Sequence, residues 1–303
     1  MLSLFCFYAL RRARPMAEMQ NIQWFPGHMT KTKRQIADSL KLIDAVAEII
    51  DARIPMSSRN PDLPEMTKGK PRLILLNKCD MADKAVTDSW IKYFDEHGVP
   101  AIAIDCRTGS GLNAFVPQVR LLLADRLERL KAKGMAGKAL RVMVCGIPNV
   151  GKSSFINRIA KAYRAKVEDR PGVTRGNQWF SVPGGIDLLD TPGVLWPKFD
   201  DRKVGERLAF TGAIRDNILD IETLAVRFIE CLPEQYLPLL DARYKLGGVD
   251  RSDAYALLEL IGRKRGMLAA RGEIDTERAA VMLLDEFRAA KLGRISLETP
   301  ERI

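Results

Sequence analysis

The residues best placed for chemistry are Gly146-Ile-Pro-Asn-Val-Gly-Lys-Ser-Ser154, which fit the pattern G-x-x-x-x-G-K-[ST]. Glycines at 146 and 151 let backbone N–H groups converge on phosphate oxygens without side chains in the way, and the helix that follows adds its positive end. Asn149, Val150, Gly151, Lys152, Ser153 and Ser154 are the candidate phosphate contacts. Lys152 has the length to reach the β- and γ-phosphates, and the Ser153 hydroxyl suits Mg²⁺. A second constellation, Asn77-Lys-Cys-Asp80, offers a base site. An Asp80 carboxylate can accept from N1–H and the 2-amino group of guanine, neither of which adenine offers. Asn77 can meet the N7/O6 edge or tie loops together, and the Lys78 stem can lie over the ring. Cys106, in Asp105-Cys-Arg-Thr-Gly109, is a small residue whose backbone N–H is expected to be free for a base carbonyl. Thr174, in Arg170-Pro-Gly-Val-Thr-Arg-Gly176, supplies a hydroxyl on a mobile segment. Asp190-Thr-Pro-Gly193 supplies a carboxylate for Mg²⁺ through water and a Gly193 N–H for a γ-phosphate.

These loops need strands behind them. Short apolar runs at 45–50, 73–76, 101–104, 140–145, 179–182 and 186–189 read as buried strands, four of them delivering a candidate loop at their C-terminal end. Between them, Ile36, Leu40 and Ile43 give one apolar helical face, and 86–96, 112–129 and 155–162 read as helices. After residue 200 strand signals stop, and helices are expected over 203–214, 221–231, 252–263 and 275–291. The fold expected is α/β, a mostly parallel sheet with helices on both faces over 19–200, followed by a smaller all-α domain over 201–303. Residues 1–18 read as an extension or a misplaced start, since the apolar MLSLFCFYAL precedes its basic cluster, the reverse of a secretory signal.

Charge narrows the partner. The 303 residues carry a net +10, and residues 1–200 hold 31 Lys and Arg against 20 Asp and Glu. A basic excess favours a polyanion such as nucleic acid. Arg263-Lys-Arg265 and Arg271 add a local basic cluster between two helices. Five scattered cysteines without a C-x-x-C pair argue against a zinc site and fit a reducing cytosol. No apolar run approaches the length of a membrane span.

The base motif precedes the phosphate loop, whereas a P-loop GTPase normally runs the other way. Joining the chain ends of such a domain and cutting it after the Asp-x-x-Gly motif gives this order without moving any residue in space. With Trp24-Phe-Pro-Gly-His-Met29 and Asp51-Ala-Arg-Ile-Pro55 in their places, the chain from about 19 to 300 closely resembles the ribosome biogenesis GTPase A family of circularly permuted GTPases. The resemblance implies a cytoplasmic, monomeric enzyme that hydrolyses GTP to GDP with Mg²⁺. It implies binding to the precursor of the large ribosomal subunit, its rRNA and proteins, late in maturation, with the helical domain on rRNA and no membrane. It also implies slow hydrolysis alone and stimulation by the particle. Val194 stands where a Ras-type enzyme has its water-orienting Gln, so the resemblance makes His28 the candidate catalytic group beside Lys152, Thr174 and Gly193. Asn149 resembles the residue that binds K⁺ in potassium-stimulated GTPases. Other readings are a regulatory GTPase acting on protein partners, a mitochondrial large-subunit assembly GTPase, and an RNA-modifying enzyme, for which no second catalytic constellation is present.

Overall fold

The computed structural model describes residues 38–162, 166–168, 178–191, 201–214, 220–269 and 272–302. They form two compact units, one made of 38–214 with 286–302 and the other of 220–285.

The first unit is built on one sheet. Its strands are β1 (Ala45–Asp51), β2 (Arg72–Asn77), β3 (Ala101–Ala103), β4 (Leu140–Cys145), β5 (Lys166–Glu168), β6 (Gln178–Val182) and β7 (Ile186–Asp190), in the order β3-β2-β1-β4-β7-β6-β5. The pairs β1–β2, β2–β3, β1–β4 and β4–β7 are parallel; β6–β7 and β5–β6 are antiparallel. Every residue of β1 is buried, as a central parallel strand covered on both faces requires. Between β1 and β4 the chain reverses the direction in which it lays down strands, which opens a crevice at their C-terminal ends.

Helices cover both faces. After the short α1 (Leu63–Met66), α2 (Lys84–Glu96) is capped by the Asp83 carboxylate and packs Trp90 and Phe94 against Ile50, Ile74 and Leu76. The apolar stretch read as one helix over 112–129 is a 3₁₀ turn followed by α3 (Phe115–Leu122) and α4 (Ala124–Ala132), broken at Leu123, whose φ of −110° and ψ of 22° leave the helical region. Phe115 meets Phe155 of α5 (Lys152–Ala162) edge to face at 5.1 Å.

The unit also takes in α6 (Arg202–Phe210) and the chain's last segment, so the division falls after 214 and again after 285 rather than at 200. Hydrogen bonds explain why. Arg288 donates to the carbonyls of Ala209 and Phe210 at the end of α6, where the helix's own i→i+4 bonds run out. Ile295 N–H reaches the Met81 carbonyl at 3.1 Å and Leu297 N–H the Arg53 carbonyl at 2.8 Å. The buried Glu298 carboxylate accepts from Met56 N–H at 2.7 Å, from the Ser57 N–H and hydroxyl, and from Arg207 at 3.0 Å.

The second unit holds α7 (Ile221–Cys231), α8 (Leu237–Tyr244), α9 (Ala254–Lys264) and the first turns of α10 (Thr276–Arg288). Asp220 and Asp253 cap α7 and α9, and Leu224, Phe228, Leu240, Leu258, Ile261 and Leu283 are buried. Gly262 is small by necessity, since a Cβ there would come within 2.8 Å of Ile274 and 3.2 Å of Ala279.

Candidate functional site

Four candidate segments leave the C-terminal ends of parallel strands: Asn77 to Asp80 after β2, Asp105 to Arg107 beyond β3, Gly146 to Ser153 after β4, and Asp190 at the tip of β7. Parallel pairing puts all of them on one edge of the sheet.

Asn77 joins three of these strand ends. Its side-chain N–H donates to the Val150 carbonyl at 2.7 Å, and its carbonyl oxygen accepts the Cys106 N–H at 3.0 Å. Of the two uses open to Asn77, this is the loop-tying one. It also corrects the expectation for Cys106, whose N–H is not free. A buried N–H needs a partner in the fold, and Asn77 supplies it. Burial, reinforced by the neighbouring Asp105 carboxylate, pushes the Cys106 thiol up to about 12, so the residue presents a neutral surface there.

The phosphate-loop glycines are needed as glycines. A Cβ on Gly146 would lie 2.6 Å from the Ile49 carbonyl oxygen, and one on Gly151 would lie 2.2 Å from Asn77 Nδ2. Gly151 has φ of +100° and Asn149 a φ of 63°, so the loop turns through the left-handed region twice. Asn149 Nδ2 donates to the Gly212 carbonyl at 3.0 Å, beyond the end of α6. Ser153 and Ser154 are exposed at the start of α5, and Val150 is buried beneath the loop. Lys152 Nζ lies 2.5 Å from Asp190 Oδ1, which brings the loop's cation and the strand-end carboxylate together. Thr191 anchors that strand end through its hydroxyl on the Val144 carbonyl.

At the base motif, Asp80 Oδ2 pairs with Arg107 at 3.0 Å, while Asp80 Oδ1 is buried with no hydrogen-bond partner among the described residues. An oriented acceptor of that kind fits a base carrying two adjacent donors. Lys78 adopts φ of 61° and its ammonium pairs with Asp51 at 3.0 Å. Neither the Asp51 nor the Arg107 contact follows from the motif alone; the only sequence signal was the Asp51-Ala-Arg53 run itself. His28, Thr174, Gly193 and Val194 lie outside the described residues.

The donor set tests what the site can hold. A glycine-lined loop at a helix N-terminus, closed by a lysine, fits a polyphosphate. A hydroxyl and a carboxylate, Ser153 and Asp190, are the hard oxygen donors that Mg²⁺ takes.

Comparison with known proteins agrees with this geometry. A family model described as "50S ribosome-binding GTPase" matches residues 141–235. Ribosome biogenesis GTPase A of Bacillus licheniformis is 49% identical over 280 residues, covering 92% of this chain and 99% of the relative. The Bacillus cereus protein of the same name is 47% identical, over 92% and 94% of the two chains. A crystal structure of GNP-bound YlqF from Thermotoga maritima superposes with a TM-score of 0.62 at 29% identity, covering 89% of this chain and 99% of that one. With its base motif ahead of its phosphate loop and relatives alike along nearly their whole length, the chain belongs to the ribosome biogenesis GTPase A family.

Proposed function

We propose that this GTPase is an assembly factor that binds the precursor of the large ribosomal subunit and promotes its late maturation. The observation that carries the reading is the convergence of base, phosphate and cation loops on one sheet edge, in a chain whose match to Ribosome biogenesis GTPase A of Bacillus licheniformis covers 92% of its own length and 99% of the relative. Asp80 reads guanine through both carboxylate oxygens, with the Oδ1 acceptor already desolvated and Arg107 giving way on Oδ2. Asn77 holds the base loop and phosphate loop in register, so that base and phosphates are judged together. Backbone N–H groups of 149–154 receive the phosphates, and their oxygens compete with Asp190 for the Lys152 ammonium. Ser153 and Asp190, with Thr174, would hold Mg²⁺, which neutralises charge on the phosphates when bound. Gly193 N–H addresses the γ-phosphate. With Nδ2 of Asn149 given to Gly212, its Oδ1 is the atom that would serve a monovalent cation such as K⁺.

Hydrolysis needs an oriented water, and a valine at 194 cannot hydrogen-bond one. His28 takes that role when the particle is bound, so turnover is slow in free protein. The basic excess of residues 1–200, with Arg263, Lys264 and Arg265 in the helical unit, contacts rRNA phosphates. Among the described residues no helix is long and apolar enough to cross a membrane, and the factor acts as a cytoplasmic monomer.

Co-sedimentation with large-subunit precursor particles tests the reading. A non-hydrolysable GTP analogue should support binding that GDP does not, and binding should fall steeply between low and moderate salt. Binding that ignores both nucleotide and salt would sink it. Asp80→Asn should weaken GTP about ten- to a hundredfold and improve xanthosine triphosphate. His28→Ala should lose particle stimulation with GTP affinity intact, whereas Lys152→Ala should lose both.

A further inference from the structure

Asp51 belongs to none of the nucleotide loops, yet it is the group on which the base loop rests. It closes β1 directly beside Asn77, with which it is in register, and Ala52 N–H donates to the Asn77 carbonyl at 2.8 Å. The side chain is 2% exposed and receives every donor in reach. Oδ1 accepts the Arg53 N–H at 3.0 Å and Arg53 Nε at 2.9 Å; Oδ2 accepts Arg53 Nη2 at 2.7 Å and Lys78 Nζ at 3.0 Å.

The Arg53 guanidinium already holds the carboxylate through two parallel bonds, from Nε and Nη2, a bidentate pair that forms without Lys78. Arg53 is itself buried under the Phe287 ring at 5.2 Å. Lys78 is therefore a further cation on a carboxylate that already has a bidentate partner. A lysine on a loop would otherwise keep its ammonium in water and its rotamers free. Here it turns back into the strand tip, and its backbone takes φ of 61°, a region unfavourable for a side-chain-bearing residue. Strain retained beside a binding loop points to a constraint that serves the site.

We propose that Asp51 is a positioning residue for base recognition: by fixing the Lys78 ammonium at the strand tip it sets the left-handed turn that presents the Lys78 stem and the Asp80 carboxylate to the base in one geometry. The inference rests on the reading of Asp80 as the guanine acceptor. Its advantage is preorganisation, since rotamer and backbone freedom at 78 are removed before the base arrives.

The test is a double-mutant cycle on the full chain, read as affinity for a fluorescent GDP and as the preference for GDP over competing ADP. Lys78→Met keeps the stem, removes the ammonium and leaves the Asp51–Arg53 pair in place. Asp51→Asn removes the anchor. Each alone should weaken GDP about tenfold or more, as loss of a charge-assisted hydrogen bond does, and narrow the GDP preference. The double variant should bind no more weakly than the worse single one. Losses that multiply in the double variant, or a Lys78→Met protein that binds and discriminates like wild type, would overturn the proposal. Should Asp51→Asn fail to fold, Lys78→Arg decides: arginine can keep the ion pair, so it should retain more affinity than methionine, and an equal loss would count against Asp51. A wild type that does not prefer GDP to ADP would sink the reading of Asp80 instead. A wild type that does, with both singles unchanged, sinks the positioning role alone.

Discussion

Gly151 and Asn77 should behave as one unit, and the size of their coupling follows from the geometry. Gly151→Ala places a methyl 2.2 Å from Asn77 Nδ2 at a backbone φ of +100°. The backbone term is about 1–2 kcal/mol for an alanine there. The overlap displaces the Asn77 amide and breaks its 2.7 Å bond to the Val150 carbonyl. Leaving that buried acceptor unmet costs about 1–3 kcal/mol more. Asn77→Ala alone orphans both the Val150 carbonyl and the Cys106 N–H, about 2–6 kcal/mol. In the double variant the methyl meets no amide, so only the backbone term adds to the Asn77 loss. The double variant should thus be more stable than the sum of the singles by about 1–3 kcal/mol, the overlap term. Urea unfolding followed by tryptophan fluorescence measures it, Trp90 and Trp179 both being buried in the sheet unit. Additivity within about 0.5 kcal/mol would refute the contact.

Glu298→Ala should destabilise the sheet unit by about 3–5 kcal/mol, because Arg207 and the donors of Met56 and Ser57 lose their shared acceptor; a change below about 1 kcal/mol in urea would mean the last segment contributes little. Stability should also fall in acid through Asp51. Burial alone would raise its carboxyl, but Arg53 and Lys78 outweigh that and hold it below the usual carboxylate range. A depressed folded value means full stabilisation above the unfolded value of about 3.9 and progressive loss as pH drops below it. Between about pH 4 and 2 the wild type should lose stability more steeply than Asp51→Asn, and parallel curves would assign the acid loss to other groups.

The site's backbone was legible in the sequence and its cross-links were not, for a physical reason. A phosphate loop or a base loop demands particular residues within a few positions, so Gly146, Gly151, Lys152 and Asp80 announce themselves locally. Central strands such as β1 do so as well, being apolar throughout. The edge strand β5, Lys166–Glu168, lies in a polar stretch and pairs only with β6, so no alternation marks it. The break at Leu123 is hidden because Leu121, Leu122 and Leu123 carry an apolar pattern straight across it. Glu298 and Ser57 lie 241 residues apart, and nothing in either neighbourhood names the other.

The permuted order changes the meaning of those cross-links. A cut in the chain leaves the site intact, because each loop is held by its own parallel strand and not by its neighbours in sequence. What the cut alters is where each loop leads. The segment that follows Asp190 and Thr191 now runs into α6, whose Arg207 is held by Glu298 and whose last carbonyls are held by Arg288. Just past that helix, the Gly212 carbonyl takes the Asn149 amide of the phosphate loop. Chain and hydrogen bond together close a circuit from phosphate loop to strand-end carboxylate to helix and back. A displacement of α6 must therefore be met at Asn149 or at Glu298, and of these the exposed single bond at Asn149 is the one that yields first.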